Sequence, residues 1–352
     1  MEKLKVGLIG AGSISSFHAA GYKKLANVEI YAVCDLKRER AEASRQAFGA
    51  KYAFTDYEEL LKLKELDAVS VCTWNNTHAP VTIASLQAGK HVLCEKPLAT
   101  NAKEAEAMSA AAGQAGKLLM VGFVRRFCRN TRILKDFIDS GYLGDLYFAK
   151  TQYIRRCGNP CGWFSDRQRS GGGPLIDLGV HMIDLARYLM GKPKATAVSG
   201  VTFANIGPRN NIKGLIRYRA VDFDDYCNVE DFAAAFIRFD NGAVLTVETS
   251  FSQHIKEEQV ALEVFGTKAG ATLEPKLELH SELQDYLVDI TPVYSVENDF
   301  AVFFEQEIAH FVDCIVNGTE CLAPSEDGVE LMRILDAIYE SAGTGKEVSI
   351  IR

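Results

Sequence analysis

Three groups of residues have chemistry to offer. The first is Gly10-Ala11-Gly12-Ser13-Ile14-Ser15, which joins the apolar strand pattern KVGLI to a helical one. In that context Gly10 permits a tight turn and Gly12 lets the backbone approach a pyrophosphate. The helix N-terminus, which opens with Ser13 and Ile14, stabilises the pyrophosphate charge. Ser15 takes the third position, where glycine or alanine is usual. Asp35 ends the next strand pattern, where a carboxylate accepts hydrogen bonds from an adenosine ribose and repels a 2′-phosphate. NAD is therefore expected over NADP, although Lys37 and Arg38 follow closely. The second group is Glu95-Lys96-Pro97, where a lysine ends an apolar run, HVLC; an ammonium there is costly to bury unless something uses it. The third lies in the helical pattern from Pro174 to Met190. At about 100° per residue, Asp177, His181, Asp184 and Tyr188 share a narrow sector, and nearly all the rest of the circumference is apolar. A helix of that kind is buried, so its polar stripe is expected to face a partner or a cleft. The glycines of Ser170-Gly171-Gly172-Gly173 are expected to let backbone approach a ligand closely.

These groups must be positioned by a regular framework. KVGLIG, VEIYAVCD, KYAFT, LDAVSVCT, KHVLCE and KLLMVGF read as strands with helical patterns between most of them. That alternation predicts a parallel, doubly wound sheet covered on both faces, with ligands beyond the carboxyl ends of its strands. Asp35, Thr73, Glu95 and Lys96 fall at those ends. The polar run from Thr73 to His78 is expected to face a bound cofactor and also to start a helix, with Asn76 or Thr77 as N-cap and Pro80 in the first turn. From Phe123 the rhythm changes. A helical stretch, the strand-like LYFAKTQYI and the helix from Pro174 precede KATAVSGVTFANI, EDFAAAFIRF, AVLTVETSFS, QVALEVFGT and ATLEP, and two helical patterns close the chain. Asp240-Asn241-Gly242 is a hairpin signal. The expected fold is α/β: a Rossmann domain over residues 1–122 and, over 123–352, an α+β domain with a largely antiparallel open sheet.

Bulk properties exclude several classes. The chain has 352 residues and a net charge of −7 with its basic residues dispersed, which leaves no electrostatic footprint for nucleic acid or anionic lipid. No segment approaches the length of a membrane span, and the apolar run in MEKLKVGLIGAGSI is too short for a secretory signal. A cytoplasmic protein with reduced thiols is expected from its nine scattered cysteines. Cys157 and Cys161 lack a second cysteine or histidine pair nearby in sequence, so no metal is expected.

Taken in order, KVGLIGAGSI, Asp35, Thr73 with Asn75 and His78, Glu95-Lys96-Pro97, GFVRRF at 122–127 and GGGPLIDLGVHMID at 171–184 resemble the oxidoreductases grouped around glucose-fructose oxidoreductase and inositol 2-dehydrogenase, the Gfo/Idh/MocA family. The resemblance covers essentially the whole chain. It implies an NAD-dependent dehydrogenase acting on a secondary alcohol of a sugar, glycoside or cyclic polyol, assembled as a homo-oligomer, a dimer or tetramer. It also implies a catalytic set of Lys96, Asp177 and His181, with Asp184 among the substrate contacts. His181 would be the general base, Asp177 would orient it and stabilise its imidazolium, and Lys96 would stabilise the developing alkoxide. The cofactor contacts implied extend to Trp74, Arg126 and Trp163, and the Lys96–Pro97 bond is often cis in relatives. Trp74 stands where proline is common, Val124 where asparagine or methionine is common, and Phe164 where many relatives have arginine. Two other readings remain: cleavage of a glycoside through transient oxidation, and a non-catalytic NAD-binding regulator.

Overall fold

The computed structural model describes residues 3–214, 218–220, 226–293 and 300–351, and these form two compact units. The first comprises Met1–Phe127 with Asp299–Val329. In chain order it contains β1 (Leu4–Ile9), α1 (Ser13–Lys23), β2 (Val28–Cys34), α2 (Arg38–Phe48), β3 (Tyr52–Phe54) and α3 (Tyr57–Leu61). Then follow β4 (Ala68–Val71), α4 (Asn75–Gln87), β5 (His91–Glu95), α5 (Ala102–Ala115) and β6 (Leu119–Gly122). All six expected strands pair in parallel in the order β3-β2-β1-β4-β5-β6. The order reverses between β1 and β4, and the carboxyl ends at this switch are where a doubly wound sheet binds its ligand. Val69, Val92 and Leu93 are fully buried, as strands covered on both faces must be.

The second unit comprises Cys128–Asn298 with Glu330–Arg352. Its elements begin with α6 (Arg129–Asp139), β7 (Leu146–Ile154), α7 (Arg167–Ser170) and α8 (Val180–Leu189). A run of strands follows: β8 (Ala195–Phe203), β9 (Phe232–Phe239), β10 (Val244–Ser250), β11 (Gln259–Gly266), β12 (Gly270–Glu274), β13 (Glu278–Leu283) and β14 (Tyr286–Ile290). The chain ends with α9 (Phe300–Asn317), α10 (Ser325–Thr344) and β15 (Val348–Ser349); the division between units falls within α10. The nine-stranded sheet runs β14-β13-β12-β11-β7-β10-β9-β8-β15. Among the described residues its neighbouring strands pair antiparallel except β7 with β10, so the sheet is mixed and mostly antiparallel. The β9–β10 hairpin turns at Asp240-Asn241-Gly242, where Asn241 accepts the Ala243 N–H and Gly242 has φ +82°.

The structure adds two features and corrects two expectations. The first compact unit is not contiguous in sequence, because α9 packs back on α1: Phe17 stacks on Phe304, and Ile308 packs so closely on Gly21 that a Cβ there would lie 2.9 Å from it. Hairpin β13–β14 was not anticipated, because ELHSEL and YLVDI mix charge into the pattern and Gln284-Asp285 turn through positive φ without a glycine. The N-cap of α4 is Trp74, earlier than Asn76 or Thr77, and Pro80 lies inside the helix. The run from Pro174 begins as a π-helix, Leu175–Gly179, and becomes α-helical only at Val180.

Candidate active site

In the first unit the glycine turn is fixed from both sides. Gly10 has φ +96°, and a Cβ on it would meet the Cys72 carbonyl at 2.4 Å, so only glycine fits where β1 and β4 end side by side. Gly12 is different. A Cβ there would meet no protein atom within 4 Å, so packing inside the protein does not require this glycine; close backbone approach by a pyrophosphate does. Ser15, fully buried, donates its hydroxyl to the Gly12 carbonyl at 2.7 Å, which explains a serine in the third position. Asp35 accepts the Ala11 N–H at 3.0 Å through Oδ2 and the Lys37 N–H at 2.9 Å through Oδ1. It thus ties the end of β2 to the glycine turn, and a carboxylate with four acceptor positions still has capacity for ribose hydroxyls. These features fit NAD.

The Glu95-Lys96-Pro97 turn is held from beneath. The Lys96–Pro97 bond is cis. His78, fully buried, has Nδ1 2.7 Å from the Pro97 carbonyl and Nε2 3.2 Å from that of Thr73. Burial lowers its pKa, and a neutral ring has one N–H, which belongs on the shorter contact. His78 therefore links the segment after β4 to the turn after β5. Glu95 accepts from His18 Nε2 at 2.8 Å and from the Lys96 N–H at 3.2 Å. Behind this pair stands Glu307 of α9, fully buried, with neither carboxylate oxygen hydrogen-bonded. Burial first, and then the charge of Glu95, pushes its carboxyl well above the usual range. Asn75 is buried, and Thr73, Trp74 and Lys96 are half-buried. Arg126 is buried too, donating to Asp327 at 2.8 Å and to the Leu322 carbonyl.

In the second unit the polar stripe divides. Asp177 on the π-turn and His181 on α8 are half-buried, whereas Asp184 and Arg187 are buried and Tyr188 nearly so. Arg187 donates to the carbonyls of Pro193 and Lys192, closing the end of the helix. Arg155 lies within electrostatic reach of Asp177 and donates to the Tyr153 hydroxyl at 3.0 Å. Trp163 stacks on Phe164 with ring centroids 3.9 Å apart.

Glu230 and Tyr339 were missed in the sequence. Glu230 Oε1 accepts from Gly173 N–H at 2.9 Å, Leu175 N–H at 3.3 Å and the Tyr339 hydroxyl at 2.8 Å. The carboxyl thus caps the π-turn that presents Asp177, and burial raises its pKa. The glycine triplet serves the same packing. A Cβ at Gly172 would lie 1.9 Å from the Tyr339 hydroxyl and one at Gly173 2.1 Å from the Glu230 carbonyl, so the closeness expected toward a ligand is observed toward the protein itself. No local signal marks a carboxylate 57 residues away as the cap.

Residues 4–123 match the family described as "Oxidoreductase family, NAD-binding Rossmann fold", and residues 135–350 match its "C-terminal alpha/beta domain". The chain belongs to the Gfo/Idh/MocA oxidoreductase family. As a member of it, the protein is an NAD-binding oxidoreductase. Among Gfo/Idh/MocA relatives it is 33% identical over 351 residues to D-glucoside 3-dehydrogenase of Escherichia coli (strain K12), covering 99% of this chain and 97% of that one. It is 27% identical over 330 residues to myo-inositol 2-dehydrogenase of Thermotoga maritima, covering 92% of each. A solved structure, levoglucosan dehydrogenase in complex with NADH, superposes with a TM-score of 0.86 at 25% identity over 100% of both chains. Among the described residues no helix is long and apolar enough to cross a membrane.

Proposed function

We propose that this protein oxidises a secondary alcohol of a sugar, glycoside or cyclic polyol. The observation that carries the reading is the half-buried pair Asp177 and His181 on a capped, otherwise buried helix, in a chain whose other unit holds a dinucleotide-binding turn and a fixed Glu95-Lys96-Pro97 segment. Names of relatives that act on glucosides and inositols support the substrate class. NAD, when bound, supplies the hydride acceptor. Gly10, Gly12, Ser13 and Ile14 hold its pyrophosphate and Asp35 its adenosine ribose; Thr73, Trp74, Asn75, His78, Glu95, Arg126 and Trp163 are the further cofactor set, of which His78 and Arg126 act through the segments they anchor. His181 takes the hydroxyl proton. Asp177 orients the imidazole and balances its positive charge, and Arg155 lies within electrostatic reach of that carboxylate. Lys96 donates to the oxygen on which negative charge develops. Asp184, buried on the next turn, supports substrate positioning. Exposed Tyr286 and Leu287 on the edge strand β14 favour a homo-oligomer, and the free, largely buried thiols favour the cytoplasm.

The test is NADH formation by the purified protein over a panel of sugars, inositols, sugar acids and glycosides, with a simple glucoside and myo-inositol first. Net NADH from a free polyol or sugar is the expected result. Product from a glycoside without net NADH would establish transient oxidation instead, and NAD binding without turnover of any member would establish a regulator. Lys96→Met keeps the stem and removes the charge and donors. Turnover should be abolished with NAD affinity retained, and near-normal turnover would remove Lys96 from the mechanism.

A further inference from the structure

Four of the nine cysteines are half-buried and five are buried. Two of the half-buried ones stand apart from the dinucleotide turn and from the Asp177 stripe. On α9, His310 and Cys314 occupy positions i and i+4 and so share a face; Cys321 comes back to them from the segment that follows the helix. One ligand atom from each lies within 4.8 Å of the other two. His310 Nε2 and Cys314 Sγ are 3.4 Å apart. A tetrahedral Zn²⁺ with bonds of about 2.3 Å to sulfur and about 2.0–2.1 Å to nitrogen separates such a pair by about 3.5 Å. Histidine and cysteine at this spacing, all three residues half-buried, match the donors of a zinc site in which water would take the fourth position.

We propose that His310, Cys314 and Cys321 form a thiophilic metal site that takes Zn²⁺. Two thiols and one neutral imidazole bind the ion; the two S–H protons pass to solvent as the two Zn–S bonds form, and no oxidant is needed. His310 Nε2 now accepts the Leu322 N–H at 2.9 Å and would exchange it for the metal. Because thiols lose their protons when they bind a metal, affinity should rise with pH. The site has a structural purpose. Just beyond Cys321, Leu322 accepts from Arg126, Ala323 accepts the Val121 N–H at 2.9 Å, and Pro324 bridges to Met120 of β6. An ion joining α9 to Cys321 would fasten this return of the chain to the edge of the parallel sheet, and the first unit would gain stability from metal it binds only when folded.

Cobalt(II) titration of the full-length, reduced and chelator-treated protein tests this. A thiolate-to-cobalt charge-transfer band should saturate at one equivalent and be displaced by Zn²⁺, and Zn²⁺ should raise the melting temperature. The double variant Cys314→Ser/Cys321→Ser should lose the band and the thermal shift, whereas Cys157→Ser/Cys227→Ser should keep both. His310→Gln, with both thiols intact, should weaken Zn²⁺ affinity at least tenfold in a chelator competition; this arm stands if the double serine variant does not fold. Absence of the band in the wild type, its persistence without Cys314 and Cys321, or unchanged affinity in His310→Gln would each overturn the site. So would Cys314 and Cys321 found disulfide-linked in protein whose reduced form shows no cobalt band. None of these readouts uses dehydrogenase activity.

Discussion

His181 and Asp35 are single residues whose surroundings set what each can do. If the His181 imidazole is the base, alcohol oxidation should fall as pH drops and the ring takes up a proton, because a protonated ring cannot accept the hydroxyl proton. His181→Ala should lose about 10²-fold or more in turnover, within the usual range for acid–base catalysis, with NAD affinity nearly unchanged. A pH profile under chemistry-limited conditions checks it, and an acidic limb surviving unaltered in His181→Ala would place the base elsewhere. Asp35 has two tasks, since it also receives the Ala11 and Lys37 N–H groups. Asp35→Ser should therefore narrow the preference for NAD over NADP while weakening both, as the glycine turn loses its tie to β2. Titration of each nucleotide reads this directly; a wild type that prefers NADP would remove the ribose assignment.

Presentation of Asp177 is decided at the scale of the element. A π-turn widens the helix where Asp177 sits, and such turns are commonly found at functional sites. Its N–H groups are satisfied by Glu230 from the segment before β9, which Tyr339 of α10 holds in turn. Glu230→Ala leaves two buried N–H groups and a tyrosine hydroxyl without this acceptor, at about 1–3 kcal/mol for each buried group orphaned. Turnover should fall with stability even though Glu230 is assigned no contact with substrate. Glu230→Gln, which keeps one acceptor oxygen, should recover much of both, and thermal unfolding beside steady-state kinetics will show whether the two move together. Unimpaired Glu230→Ala would mean that the π-turn holds itself.

For the whole molecule, Glu307 links stability to pH. Its carboxyl has a raised pKa and faces Glu95 and His18, with Tyr22 and Cys72 close enough to be coupled to it electrostatically. Below the ordinary carboxyl value of 4.5, folded and unfolded chains both hold the proton. Above it the unfolded chain releases the proton while the folded one keeps it, so stability falls as pH rises toward the raised folded value. Glu307→Gln supplies a neutral side chain of the same shape and removes that loss. The variant should match the wild type near pH ~4 and melt increasingly above it toward pH ~8. Melting curves of the full-length protein across that range decide the matter. Equal destabilisation at every pH would show a charged carboxylate with a partner it needs.

Local pattern alone determined much of this protein. Short continuous apolar runs separated by period-3.6 ones specify six parallel strands, and a glycine turn followed by the strand-ending Asp35 specifies a dinucleotide site, because each is read from short stretches of chain. The half-burial of Asp177 and His181 in an otherwise apolar, buried run was legible in the same way, whereas the π-turn that carries Asp177 was not. What the sequence could not show is which distant group completes each site. His18 and Glu307 meet Glu95 from 77 and 212 residues away, Glu230 caps a turn 57 residues before it, and α9 returns to a unit whose strands ended at Gly122. Packing decides these partnerships. A buried carboxylate or N–H must find a partner or change its protonation state, and only the folded chain fixes which groups are near enough to supply one.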